Sequence, residues 1–83
     1  MASKDEIFGW VKDVLKGEFQ LADDELIPSA HLVDDLDLDS IDAIDMAIRL
    51  EEKTGLSFEE DDLKSIHTIQ DAVDSIDERQ KRP

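Results

Sequence analysis

Ser40 stands in the stretch Val33-Asp34-Asp35-Leu36-Asp37-Leu38-Asp39-Ser40-Ile41-Asp42, a lone hydroxyl among five aspartates. Three chemistries use such a group. A nucleophilic serine needs a base within hydrogen-bond reach and a third group to orient that base. The imidazoles available are His31 and His67, and the G-x-S-x-G elbow is missing. A chain this short also has little volume with which to shield a reacting centre from water, so hydrolysis is disfavoured. A calcium loop is the second option, because Asp35, Asp37 and Asp39 fall on its first, third and fifth positions. That loop requires glycine at its sixth position and a bidentate glutamate at its twelfth. Ser40 and Met46 occupy those places, which leaves at most loose cation binding and no metal site. In the third option Ser40 is a passive acceptor. The amides at a helix N-terminus have no intrahelical partner and sit at the positive end of the dipole, so a phosphodiester on this hydroxyl would be well placed there. With no base nearby, another enzyme would have to activate it. The ordinary alternative is that Ser40 merely caps a helix.

The elements around Ser40 follow from hydrophobic spacing. Ile7, Val11, Val14, Leu15 and Phe19 recur at helical intervals and predict a first helix over Lys4 to about Phe19. Ser3 and Glu6 form a capping box at its start, Gly17 weakens its end, and Trp10 lies beside the stripe as a partly exposed packing residue. The connection from Gln20 to Asp39 is long for a small domain, so something must pin it. Leu26, Ile27, Leu32, Val33 and Leu36 are expected to do so, with one short turn at 23–26. A second helix runs from about Ser40 to Thr54 and ends at Gly55. At about 100° per residue its apolar side chains separate into two stripes. Ala43, Met46, Ala47 and Leu50 form one, and Ile41, Ile44 and Ile48 form another nearly opposite. Either both are buried around a central helix, or the isoleucine stripe is exposed. Asp45 and Glu52 share the isoleucine side, so exposure is expected. A short helix over Glu59 to Leu63 and a last helix from Ile69 to about Asp77 complete the pattern. Thr68 caps the last helix, Asp71 lies in its first turn, and Ile69, Val73 and Ile76 share one face. The expected fold is therefore all-α, a small four-helix bundle of three main helices and one short one. It forms a single domain over 1–83, with residues 79–83 as a frayed tail.

Composition narrows the function. The 83 residues carry a formal charge of -14 and no cysteine, so neither disulfides nor thiolate zinc sites contribute. This charge repels nucleic-acid backbones, which bind through Lys and Arg. It instead favours proteins with basic patches. No apolar run is long enough for a membrane span or a secretory signal, and a cytoplasmic setting is the default.

At this point the sequence resembles an acyl carrier protein of the fatty-acid and type II polyketide kind, over nearly the whole chain. The resemblance rests on Asp39-Ser40-Ile41, the preceding Val33-Asp34-Asp35-Leu36, and the following Met46-Ala47-Ile48-Arg49-Leu50-Glu51-Glu52. Gly55-Leu56-Ser57-Phe58 and Ile66-His67-Thr68-Ile69-Gln70-Asp71-Ala72-Val73 continue it in register. It implies a monomeric carrier, not an enzyme. Ser40 would bear a covalent 4′-phosphopantetheine arm, donated from coenzyme A by a phosphopantetheinyl transferase. Asp39 would help position magnesium and coenzyme A during that transfer, and cargo would ride as a thioester. The implied docking surface is Asp39, Ile41, Asp42, Ile44, Asp45, Ile48, Glu51 and Glu52, facing basic patches on acyl-loading and chain-elongating enzymes. This surface coincides with the isoleucine stripe and its acidic border. The small Ala43 and Ala47 either leave room between the helices for an alkyl chain or sit in a tightly filled core.

Two departures stand out: Asp37 occupies a position where the family usually has glycine, and Ile41 replaces the commoner leucine. Arg49 also places a cation on the docking helix. A peptidyl or otherwise specialised carrier serving a ligase is one rival reading. An unmodified acidic interaction module is the other. The charge alone yields a first prediction: added salt or millimolar magnesium should raise the melting temperature by screening repulsion. A melting temperature indifferent to both would contradict it.

Overall fold

Helix boundaries in this chain are set by short-range hydrogen bonds to the first backbone amides. The computed structural model describes residues 2–81. It contains α1 (Lys4–Phe19), a single 3-10 turn (Asp23–Glu25), α2 (Ser40–Thr54), α3 (Glu60–Ser65) and α4 (Ile69–Lys81). Ser3 and Glu6 cap α1 reciprocally, as the sequence predicts. At the head of α4 the Asp71 amide donates to the Thr68 hydroxyl at 3.1 Å, and the Asp71 carboxylate accepts the His67 and Thr68 amides, each at 3.0 Å. Burial pushes the Asp71 carboxyl up, but these hydrogen bonds outweigh it and hold it below the ordinary carboxylate range. Gly55 closes α2 at φ 75°, the left-handed conformation in which a Cβ is costly.

The helices pack as an all-α bundle around one apolar core. Helix α1 lies against both α4 and α2, and α3 leans on α2. Ile7, Val11, Leu15, Leu50, Ile69 and Ile76 are almost fully enclosed, and each contributes about 1.5–3 kcal/mol by leaving water. Trp10 is half-buried against this core, as expected.

The long connection is tied to the N-terminus of α4. The Leu32 amide donates to the His67 carbonyl at 2.8 Å, Ile69 to Ala30 at 3.1 Å, and Gln70 to Pro28 at 2.9 Å. These bonds satisfy loop groups and helix-end amides together, which is what lets a loop of this length stay ordered. Leu26, Leu32 and Leu36 are buried as expected, but Ile27 and Val33 are 52% and 51% exposed. Ala30 and Leu38 fill the core in their place. For Val33 the reason is local. A tight turn, in which both Asp35 and Leu36 donate to the His31 carbonyl, rotates successive side chains away from one another. Only Leu32 and Leu36 on that turn can then point inward.

The tail is the second correction. Helix α4 continues to Lys81 rather than stopping near Asp77, so residues 79–81 belong to the helix. The Arg79 guanidinium pairs with Asp62 of α3. The Gln80 side chain bonds both backbone groups of Ala2, at 3.1 and 2.7 Å. The Lys81 ammonium bonds the buried Asp77 at 2.9 Å and holds its carboxyl below the ordinary range. No apolar residue follows Ile76, so periodicity stops where polar anchoring takes over. Arg82 and Pro83 lie outside the described residues. The short helix is also shifted, to Glu60–Ser65, with Glu59 just before it.

Asp37 adopts φ 60°, so the glycine usual at this position in the resembled family is explained by backbone conformation. Aspartate is one of the few residues that tolerates this region. Asp37→Gly and Asp37→Ala remove the same charge, so comparing them isolates the backbone. The glycine variant should be the more stable by roughly 1 kcal/mol. That is the left-handed penalty on a Cβ, about 1–2 kcal/mol, less the extra unfolded-state freedom of glycine, about 0.4–1. Equal stabilities in urea titrations would rule this account out.

Candidate functional site

The geometry around Ser40 is decided by its neighbours. Asp39 is the residue that caps α2: its Oδ1 accepts the Asp42 amide at 2.9 Å, and the Asp42 carboxylate accepts the Asp39 amide at 3.2 Å. Ser40 is then the first residue inside the helix, and its side chain is exposed. Among the described residues no hydrogen bond engages its hydroxyl. The reading of Ser40 as a plain cap is therefore set aside, because the aspartate before it does that work. The hydroxyl is left at the positive end of a 15-residue helix, beside amides not used by the cap. A covalent phosphodiester fits this place sterically and electrostatically.

Neither rival chemistry is assembled. His31 Nδ1 accepts the Val33 and Asp34 amides at 3.2 and 3.1 Å, which makes its ring a fastener for the loop. His67 stacks on it, with ring centroids 6.2 Å apart. Asp71 takes the His67 backbone amide rather than orienting its ring. Two of the three aspartates that suggested a calcium loop are also engaged elsewhere. Asp35 accepts the His31 amide at 2.7 Å and Asp39 caps α2. No group of three or more potential metal ligands is gathered among the described residues.

A cavity of about 370 Å³ opens beside Ser40, between α2, α3 and the loop. Leu32, Val33, Ala43, Ile44, Met46, Leu63 and Ile66 line it, with Asp39, Ser40, Glu60, Lys64 and His67 as its polar members. Ala43 contributes as expected, but Ala47 is buried without lining it. The part played by Val33, Leu63 and Lys64 was not legible from spacing. They come from a loop and a short helix whose placement is a tertiary matter.

The outer face of α2 is as the two-stripe pattern requires. Met46, Ala47 and Leu50 are buried and Ala43 is half-buried, while Ile41, Ile44 and Ile48 are 73%, 49% and 48% exposed. Asp42, Asp45 and Glu52 border this stripe. Glu51 differs from them, because one of its carboxylate oxygens accepts the Phe58 amide at 2.7 Å and fastens the segment after Gly55. Arg49 also does not project freely. It meets Glu18 of α1 at 3.1 Å, Glu52 at 3.4 Å and Asp45 at 3.9 Å. No helix among the described residues is long and apolar enough to cross a membrane.

Comparison with known proteins agrees with this geometry. The family model described as a phosphopantetheine attachment site matches residues 9–76. The chain is 38% identical over 77 residues to the acyl carrier protein of Micrococcus luteus, covering 93% of this chain and 95% of that one. It is 37% identical over 71 residues to acyl carrier protein 2 of Ralstonia nicotianae, covering 86% and 88%. It is also 37% identical over 76 residues to the acyl carrier protein of Myxococcus xanthus, covering 92% and 96%.

Proposed function

Because the chain belongs to the acyl carrier proteins, which are carriers rather than enzymes and use phosphopantetheine, we propose that Ser40 is where that arm is attached. The arm, when bound, supplies a terminal thiol on which an acyl group is carried as a thioester. The single observation supporting Ser40 is its position: the first residue of α2, exposed, and released from capping by Asp39. Asp39 serves first as the cap. Its second oxygen is the one available to help place magnesium and coenzyme A during attachment.

The remaining residues bring partners to the arm. Asp42, Asp45 and Glu52 present negative charge on one side of α2, which speeds encounter with basic patches on a phosphopantetheinyl transferase and on acyl-loading and chain-elongating enzymes. Ile41, Ile44 and Ile48 supply a narrow apolar contact. Asp39 and Glu51 add charge to this surface while holding structure. A contact of this size is weak and quickly released, which suits a protein that visits successive enzymes of a fatty-acid or polyketide-like pathway. Working as a cytoplasmic monomer is part of the same reading.

The cavity beside Ser40 is apolar enough to shelter an alkyl chain at the base of the arm. Burial there would stabilise the loaded protein by about 0.8 kcal/mol per enclosed methylene.

Two measurements test these statements. Incubation of the full chain with coenzyme A and a broad-specificity transferase should add the mass of one arm, and Ser40→Ala should abolish the gain. A chain that gains no mass would instead be an unmodified acidic interaction module. Loading the arm with acyl groups of increasing length should raise the melting temperature stepwise until the cavity is filled. A flat series would remove the sheltering role and leave the attachment intact.

A further inference from the structure

Arg49 is a cation set into a surface otherwise built to be negative. Its Nε lies 3.1 Å from Glu18 Oε1 on α1 and 3.9 Å from Asp45 Oδ1, while its Nη1 lies 3.4 Å from Glu52 Oε1. Asp45 and Glu52 stand four residues before and three after it, the spacings at which side chains on one helix meet. Both acids belong to the face proposed above for docking. The Arg49 side chain is 48% exposed, so it is neither buried as a structural ion nor free of the acids it borders.

Two electrostatic consequences follow. Arg49 neutralises part of the field that Asp45 and Glu52 project, and a lysine or arginine arriving at either acid meets a like charge a few ångströms away. Glu18 acts in the opposite sense. It is the shortest of the three contacts and draws the guanidinium toward the shallow groove between α1 and α2. Without Glu18 the cation would rest wholly on Asp45 and Glu52.

We propose that Arg49 is a specificity-determining residue of the docking face, an internal counter-cation whose strength Glu18 regulates. This proposal rests on the carrier reading. The favoured partner is a protein surface of mixed sign, with basic groups opposite Asp42 and the N-terminal half of α2 and a carboxylate opposite Arg49. A uniformly basic patch is disfavoured at the C-terminal half of the helix.

The test exploits the fact that Arg49→Gln and Glu18→Gln break the same inter-helix pair. A purely structural role would shift both variants in one direction, whereas the proposal requires opposite directions. Phosphopantetheine transfer to the full chain would be followed by mass, with a broad-specificity transferase and coenzyme A, at low and high salt. At low salt Arg49→Gln should lower KM for the carrier about three-fold and Glu18→Gln should raise it about two-fold, magnitudes typical of one charge in a steering field. The change should fall in KM rather than kcat, and salt should erase it. Melting temperatures of the two variants should move together. Lys4→Gln changes net charge by the same step as Arg49→Gln, but at a site paired with Asp74 of α4, and should leave KM nearly unchanged. Parallel KM shifts in the two variants, no shift in either, or a Lys4→Gln effect equal to that of Arg49→Gln would overturn this inference alone. Failure of the unaltered chain to gain an arm would overturn the carrier reading itself.

Discussion

The reciprocal hydrogen bonds between Asp39 and Asp42 are the constraint on which the site depends. A helix must satisfy its first amides, and a serine placed there would ordinarily be recruited for that purpose. Here the residue before it and the residue two after it close the turn on each other. The serine between them is exposed to solvent at the helix end. Moving the cap by one residue would consume the hydroxyl as a backbone acceptor. The proposed attachment point therefore has a hydroxyl that no backbone group occupies.

The same device distributes the chain's large negative charge. An acid occupies the third position of every α-helix: Glu6, Asp42, Asp62 and Asp71. Each accepts a backbone hydrogen bond from the segment just before its helix. A charge of -14 opposes compaction in a domain of 83 residues. Carboxylates placed against helix N-termini are stabilised by amides and dipole and so offset part of that cost. On the outer side of α2, Asp45 and Glu52, together with the capping Asp42, border exposed isoleucines. Helix initiation and the docking role proposed for α2 thus draw on the same acidic side chains. Position along each helix decides which role a given acid takes.

Legibility from sequence tracked the range of the interactions involved. The bounds of α1 and α2, the split of α2 into a buried and an exposed stripe, and the left-handed stop at Gly55 all depend on residues within one or two turns. Ile27 and Val33 were misjudged because hydrophobicity alone does not reveal which way a turn rotates its side chains. The ordered end of α4 was missed because its anchors, Asp62 and the backbone of Ala2, lie 17 and 78 residues away in the chain. Glu51 looked like any other surface acid until the backbone after Gly55 folded back onto it.

From the amino-acid order alone came the helices, the caps of the first and last, the serine at the head of the second and the face that stays outside. Each of these is written in periodicity and in side chains that bond their own neighbours. Tertiary structure decided what surrounds that serine. The cavity exists because Val33 from the loop, Leu63 and Lys64 from α3, and Ala43 and Met46 from α2 converge. Arg49 meets Glu18 because α1 and α2 pack together at that level. Such juxtapositions depend on how rigid elements dock, and docking is settled by the summed burial of many side chains rather than by any local pattern.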